Sequence, residues 1–562
     1  MTTTKKILLI NPPIQDFYQT EIRQQPLGLK YLQAVLEKEG YNVFLLDCLA
    51  SSKKLTIPVP KQFNYLKEYY PTNDLSPFKL FTHYRHFGLS FPEIAEKISS
   101  FQPDIIGISA NFTPYFDMAI ETAKICKSIF PSVPIVAGGH HATAVPGSVL
   151  KTELFDYAIM GEGEERFLKL INILSQNDFD ALQNLDGIAY RSENKIVINP
   201  LITFIENIDQ LPILEIEKDI GMLITSRGCP KNCNFCSISK VMGKKVRFRS
   251  IDSVVAEMRK GIEDGVRHFD FEDDNLTINK NHVKRLLQEI IRHFGSYKLT
   301  LSAMNGLLAD TLDEELIQLM KTAGFEWLNI PLVSGSPEIQ ENLNRNQSRQ
   351  KFSTTVSWAQ KYGLKVVAYL ILGLPEDTLD QMLDDILFLA ELPVLIGPSI
   401  FYPSPGSETF TQCVKKGLIT GTDFSCYRSS AVSVETENFS RRDVITLFRI
   451  VRIINFLKKL IDEHLSNDQY LARFIQSLSI ESSDLKFKQK LSQEQIGILL
   501  IDQLLQHQKL RGLRLKNQSR DDVEYDWIDY KITPDIVTRF ITKIDNKTIA
   551  GIARPFQMTI SN

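Results

Sequence analysis

The stretch GMLITSRGCPKNCNFCSIS, residues 221–239, decides how the rest of the chain is read. It opens with a short apolar run, GMLITS (221–226), which has the length and character of a buried strand. A glycine follows, and then Cys229, Cys233 and Cys236, spaced Cys-x3-Cys-x2-Cys. Three thiolates in one loop can hold three irons of a cubane 4Fe-4S cluster, leaving the fourth iron open to a substrate. A structural zinc ion is the rival, and a chance grouping of thiols is a third reading. Zinc normally closes a tetrahedron with four ligands. Here no fourth is at hand, and the next histidine, His268, lies 32 residues beyond Cys236.

Working outward, the sequence after the loop alternates between apolar runs and amphipathic stretches. Candidate strands are HFDFED (268–273), KLTLSA (298–303), WLNIPLV (327–333), KVVAYLILG (365–373) and VLIGPSIF (394–401). Helical stretches lie between them: IDSVVAEMRKGIEDG, KNHVKRLLQEIIRHF, DEELIQLMKTAG, KFSTTVSWAQKYG and TLDQMLDDILFLAEL. With 221–226 they make six strand–helix units, which fit a partial or full α/β barrel. In such barrels the site lies at the carboxyl ends of the strands. Before the loop, KKILLI (5–10), NVFLLD (42–47), DIIGIS (104–109), VPIVAGG (133–139) and DYAIM (156–160) read as strands. Helices over 26–40, 115–129 and 163–171 fall among them, which argues for a parallel sheet covered on both faces. DGIAYRSENKIVINP (186–200) reads as a hairpin, and residues 50–90 as an insertion or lid. DVITLFRIVRIINFLKKLIDEHL (443–465) reads as one amphipathic helix packed on the barrel. The expected architecture is α/β. An N-terminal Rossmann-like doubly wound parallel sheet occupies 1–205, a (β/α)6-type partial barrel 206–435, and a mainly helical C-terminal domain 436–562.

Composition sets the bounds. At 562 residues the chain is too long for one core, and roughly 150 residues per domain suggests three or four. A net charge of −3 gives no basic field for nucleic acid. No apolar run reaches the roughly 20 residues of a transmembrane segment, and the N-terminus lacks the form of a signal peptide. Of seven cysteines, Cys48, Cys126, Cys413 and Cys426 stand singly and read as packing residues. An odd count without a signal argues against a disulfide framework. These features predict a cytoplasmic protein.

The phrase TSRGCPKNCNFCS (225–237) resembles the signature of the radical SAM superfamily. The resemblance continues through FDFEDDNLTIN (269–279), LVSGSPEIQENLNR (332–345), LILGLPEDT (370–378) and FYPSPGSETF (401–410). It implies that Cys229, Cys233 and Cys236 hold a 4Fe-4S cluster whose unique iron binds S-adenosylmethionine (SAM). It implies SAM contacts at Phe235, Asp274, Ser334, Gly335, Ser336 and Gly373. The acidic group Asp273–Asp274 also reads plainly as a cap or a solvated turn. Two departures stand out: Val333 occupies the place of a usual Glu, and Pro331 that of a usual Gly.

The first 200 residues resemble the cobalamin-binding domain fused to many radical SAM enzymes. The carrying phrases are NPP (11–13), PLGLKYLQAVLEKEGYNV (26–43), DIIGISANFT (104–113), IVAGGHHATAVPGSVL (135–150) and FDYAIMGEGEERF (155–167). Ser109, Asn111 and Thr113 follow one strand end, and Gly138 and Gly139 another, where open parallel sheets bind ligands. Gly161, Glu162 and Gly163 precede a helix N-terminus. With His141 these are the expected cobalamin contacts, although His140 and His141 also read as ordinary polar turn residues. The Asp-x-His-x-x-Gly motif is absent, which implies a cobalt without that histidine ligand.

Together the resemblances imply reductive cleavage of SAM to a 5′-deoxyadenosyl radical and, within this group, cobalamin-dependent methylation of an unactivated carbon. A cyclase or rearrangement enzyme using the same cofactors is the alternative, and a non-catalytic iron–sulfur or cobalamin sensor is a third. The implied partners are a small-molecule or peptide substrate and a reductase or flavodoxin-type electron donor. Substrate contacts are expected from the 50–90 insertion, the barrel mouth and the C-terminal domain.

Overall fold

The run KILLIN forms the first strand, β1 (Lys6–Asn11), and four consecutive side chains, Ile7 to Ile10, are buried. Burial on both faces is the mark of a central parallel strand. The computed structural model describes residues 5–543 except 19–24, 194, 217–219, 346, 465–484, 488, 520 and 521. Around β1 stand β2 (Asn42–Asp47), β3 (Ile105–Ser109), β4 (Ile135–Gly138) and β5 (Tyr157–Ile159), all parallel. The expected hairpin, β6 (Ile188–Ser192) and β7 (Lys195–Ile198), adds an antiparallel edge. The order is β7-β6-β5-β4-β3-β1-β2. Helices Leu27–Lys38 and Gly163–Gln176 cover one face, and Phe91–Ser99 and Phe116–Ile129 the other. The chain leaves β1 toward β2 on one side and resumes at β3 on the other. The switch point, where doubly wound sheets bind ligands, therefore lies between β1 and β3.

All six barrel strands are present: β8 (Ile220–Leu223), β9 (His268–Phe271), β10 (Thr300–Ser302), β11 (Trp327–Val333), β12 (Lys365–Leu372) and β13 (Leu395–Ile400). They pair as two parallel arcs, β8-β9-β10 and β11-β12-β13, joined by one bridge between Leu301 and Phe325. Each intervening helix starts on a capping side chain. Ser250, Asn279, Asp313, Ser348 and Thr378 each accept a backbone N–H of the first turn. These caps explain why the helices were readable from sequence.

The insertion does not form a lid over the strand ends. Tyr84–Phe87 pairs with Ile14–Asp16 on one side and Lys54–Ile57 on the other, as a small antiparallel sheet. Phe63, Leu66, Phe78 and Leu80 join the same core as the barrel and the C-terminal region. The expected amphipathic helix runs Arg441–His464 and docks on the barrel edge, where the Asn455 amide exchanges two hydrogen bonds with the backbone of Ile396. Its Arg449 is buried, donates to the carbonyls of Phe78 and Tyr69, and lies 3.6 Å from the Tyr530 ring centroid. The C-terminal region is mainly helical, with Gln493–His507 and Pro534–Lys543. It also contains an antiparallel sheet of Lys486–Phe487, Arg511–Gln518 and Val523–Asp529 that the pattern did not announce. Residues 465–484 and 544–562 of the expected domain lie outside the described residues. Among the described residues no helix is long and apolar enough to cross a membrane.

Candidate functional site

The cysteine loop is fixed before it reaches its first cysteine. Asp273, at the end of β9, is buried and accepts the Thr225 N–H at 3.1 Å, the Thr225 hydroxyl at 2.8 Å and the Ser226 hydroxyl at 2.5 Å. Asp274 accepts the Gly228 N–H at 3.1 Å, and burial pushes its carboxyl up to about 6. Gly228 has φ +93°, and a Cβ there would stand 2.4 Å from the Lys245 carbonyl oxygen, so only glycine fits. Cys229 then donates its N–H to the Gly243 carbonyl at 3.1 Å. Burial raises the Cys229 thiol above its ordinary range. Iron would offset that cost by binding the thiolate.

Cys229, Cys233 and Cys236 all line a cavity of about 1060 Å³. Its opposite wall is the switch point of the N-terminal sheet: Asn11 to Pro13 after β1, and Ser109 to Asn111 after β3. Gly138, Gly139 and His140 follow from β4, and Gly161 to Glu164 from β5. Gly139 has φ +107°, and a Cβ on it would stand 2.8 Å from the Asn111 Cα, which lets the two loops close on each other. The barrel supplies Met222, Asp274, Asn275, Met304, Pro331, Val333, Arg345, Tyr369 and Ile371. Among the described residues, none of the 50–90 insertion or of 436–562 lines this cavity. The insertion's aromatic side chains are spent in the core instead.

One arm of the cavity runs beneath the strand ends. It passes between Gly107, Val136 and Ile159 of the sheet and Leu29, Leu32 and Phe167 of the covering helices. A Cβ on Gly107 would stand 2.8 Å from Leu9 and 3.5 Å from Phe167, so the arm depends on that glycine. Gly138 and Gly163 leave bare backbone with nothing within 4 Å of where a Cβ would be. A flat macrocycle over the strand ends, with its nucleotide tail in the arm, fits this shape. The three thiols stand on one loop at the cavity, as a cluster with one open iron would need, and no fourth cysteine or histidine lies in that loop to close a zinc site.

The other predicted residues divide clearly. Phe235, Asp274, Ser109, Asn111, Gly138, Gly139, Gly161, Glu162 and Gly163 line the cavity. Thr113, His141, Ser334, Gly335, Ser336 and Gly373 do not. His141 turns into the core, between the rings of Phe116 and Phe424, with Nδ1 3.2 Å from the Thr113 hydroxyl. Its neighbour His140 faces the cavity instead. The Ser334 hydroxyl and the Gly335 N–H both donate to Asp385 at 2.8 Å, and Ser336 caps the helix Pro337–Asn342. Gly373 turns at φ +80° against the Met382 sulfur. The Glu162 carboxylate is buried and paired with Arg227 and Arg247. Sequence reasoning passed over Arg345, which closes a quoted motif. Its Nε is buried without a hydrogen-bond partner, and Nη2 makes one long bond to the Pro331 carbonyl at 3.4 Å.

Comparison with known proteins assigns both walls. The family model of the Radical SAM superfamily matches residues 223–389, and that of the B12 binding domain matches residues 82–171. The chain is 28% identical over 469 residues to an uncharacterised methyltransferase, PH0819, of Pyrococcus horikoshii, covering 81% of this chain and 93% of that one. It is 28% identical over 476 residues to the cytidylyl-2-hydroxyethylphosphonate methyltransferase of Streptomyces wedmorensis, covering 75% and 84%. The solved structure of the cobalamin-dependent S-adenosylmethionine radical enzyme OxsB shares the fold. Its TM-score is 0.60 at 14% identity, over 99% of this chain and 81% of that one. The two family matches fall on the two walls of one cavity: residues 82–171 match a B12 binding domain and residues 223–389 a radical SAM domain behind it.

Proposed function

We propose that this chain is a cobalamin-dependent radical SAM methyltransferase acting on an unactivated carbon. The observation that carries the reading is the single cavity bounded by the cysteine loop on one side and the switch point of the N-terminal sheet on the other. The relatives named as methyltransferases support the transfer step. When bound, the cluster supplies the electron that splits SAM, and the cobalamin supplies the transferable methyl group.

In this reading Cys229, Cys233 and Cys236 hold three irons, while Asp273 and Asp274 keep the loop in shape. Phe235 and Arg345 flank SAM, and the Arg345 guanidinium pairs with a carboxylate. Ser334, Gly335, Ser336 and Gly373 act one layer back by holding the turns after β11 and β12. Gly138, Gly139, Gly161 and Gly163 give the macrocycle bare backbone to rest on, and the arm lined by Gly107 and Phe167 takes the tail. The substrate, a small molecule or peptide, lies between Phe112 and Tyr115 on one side and Met304, Tyr369 and Ile371 on the other. Those largely apolar walls exclude water from a radical. Tyr115 is held there by Asp16, which accepts its hydroxyl at 2.8 Å and pairs with the buried Arg428 at 3.2 Å. A flavodoxin-type reductase supplies the electron, and the cytoplasm is the setting. Residues 1–205, 206–435 and 436–562 are the units of this arrangement.

The test is cofactor analysis of the full chain purified without oxygen and reconstituted. The reading expects about four irons, four sulfides and one cobalamin per chain. Zinc in place of iron, or no retained cobalamin, would remove its basis.

A further inference from the structure

The neck of the cysteine loop is a short antiparallel pair, Ser226–Arg227 with Arg247–Phe248. Both arginines are buried, and both are held by carboxylates from the N-terminal sheet. Arg227 donates through Nη1 to Glu162 at 2.9 Å and through Nη2 to Glu164 at 2.7 Å. Arg247 donates through Nη1 to both oxygens of Glu162, at 2.9 and 2.7 Å. Glu162 also accepts the Ile205 N–H at 2.8 Å, and the Arg227 guanidinium lies 5.2 Å from the Tyr31 ring centroid. The two carboxylates are 3% and 4% exposed as residues, so these bonds are sealed from water.

Each end of this cluster touches a functional wall. Glu162 stands between Gly161 and Gly163, which line the cavity on the cobalamin side. Arg227 is followed directly by Gly228, which is hydrogen-bonded to Asp274, and then by Cys229. Arg247 donates through Nη2 to the Met242 carbonyl at 2.6 Å, next to the Gly243 carbonyl that receives the Cys229 N–H. Both strands of the neck are therefore gripped from the other wall. Stability alone does not call for such a cluster, because buried ion pairs repay their desolvation poorly and apolar packing often serves as well. Their directional bonds do fix a distance and an orientation.

We propose that Glu162 and Glu164 are positioning residues. With Arg227 and Arg247 they lock the Gly161–Gly163 turn to the neck of the cysteine loop, and so set the separation between the cobalamin site and the cluster site. This rests on the two-cofactor reading above. It makes the ion-pair cluster, rather than any cofactor contact, the reason for glutamate at these positions. A loosened cluster leaves each cofactor in place but lets the two sites drift. Radical formation continues, while delivery of the methyl group to the radical suffers.

The test compares the full chain with its Glu162→Gln variant, each loaded with cobalamin and cluster. Pulsed dipolar EPR between cob(II)alamin and the reduced cluster reads the separation directly. The wild type should give one narrow distance. Glu162→Gln should give a broadened or displaced one at unchanged cofactor content, and the S-adenosylhomocysteine to 5′-deoxyadenosine ratio should fall about tenfold or more. An unchanged distance distribution would overturn the proposal. So would loss of one cofactor with the remaining paired molecules at the wild-type distance, since that is a holding role. If Glu162→Gln does not fold, Glu164→Gln removes one carboxylate contact to Arg227 and should broaden the distance less. Wild-type behaviour there overturns the proposal. A wild type that loads no cobalamin or no cluster defeats the two-cofactor reading itself, which is a separate outcome.

Discussion

Asn344 and Asn234 are joined across 110 positions of sequence: the Asn344 side-chain amide donates to the Asn234 side-chain Oδ1 at 2.7 Å. Asn234 lies between the second and third cluster cysteines, and Asn344 directly precedes Arg345. Asn234 also donates to the carbonyls of Leu343 and Asn342. The cysteine loop thus carries the Arg345 loop with it.

The first prediction follows from that link. Arg345→Gln should leave the iron content unchanged and weaken SAM binding. Hydrogen bonds to charged groups are worth about 1.5–3 kcal/mol, which is roughly a ten- to hundredfold rise in Kd. Titration calorimetry on cluster-loaded protein checks it. Equal affinity in both proteins would mean that Arg345 does not receive the SAM carboxylate.

Val333 carries φ +68°, a left-handed backbone that a β-branched residue rarely adopts, beside a register shift in β11. It is also buried among Ile339, Leu343 and Phe401. The strain costs on the order of 1–3 kcal/mol, and burial of the side chain returns about 1.5–3 kcal/mol. Val333→Gly should therefore change stability by no more than about 2 kcal/mol, since the two effects oppose. A fall in melting temperature of more than about 5 °C would show that packing dominates and that the strain is slight. The sequence resemblance makes a separate point: Val333→Glu should still fold, because related chains carry Glu there.

His141 is fully buried and its Nε2 has no hydrogen-bond partner. Burial pushes its pKa down to about 3. The unfolded imidazole takes up a proton near 6.5, which the folded one refuses until far lower pH. Its contribution is complete above pH 6.5 and is lost as pH falls toward 3. By pH 5 the loss is about 2 kcal/mol. His140, pushed down to about 4 by burial, adds in the same direction. Urea midpoints at pH 7 and pH 5 should separate further in the wild type than in His141→Leu. Equal separations would assign the acid sensitivity elsewhere.

Much of this architecture was legible because its signals are local. The barrel strands are apolar runs, and the helices between them begin on Ser, Asn, Asp, Ser and Thr caps a few residues away from the N–H groups they bind. The cysteine triad is local as well. What escaped depends on distant partners. The small sheet of the insertion needs Ile14–Asp16, and Arg511–Gln518 is mostly polar on both faces and is a strand only because Val523–Asp529 pairs with it. Glu162 reads from sequence as a cofactor contact because it sits between two glycines before a helix. The arginines that its carboxylate pairs with, Arg227 and Arg247, are 65 and 85 residues on. His140 and His141 are adjacent in sequence, yet the short helix His140–Ala144 turns one toward the cavity and the other into the core. No pattern in the sequence distinguishes them.

The most direct test of the central claim uses the full chain, reconstituted without oxygen and supplied with cobalamin, SAM and a strong reductant. The products to quantify by mass spectrometry are 5′-deoxyadenosine and S-adenosylhomocysteine. The account predicts that both form, and that Cys229→Ala, Cys233→Ala and Cys236→Ala each abolish 5′-deoxyadenosine. If 5′-deoxyadenosine persisted in any of those variants, or if fully loaded wild-type protein formed it without S-adenosylhomocysteine, the account would be contradicted.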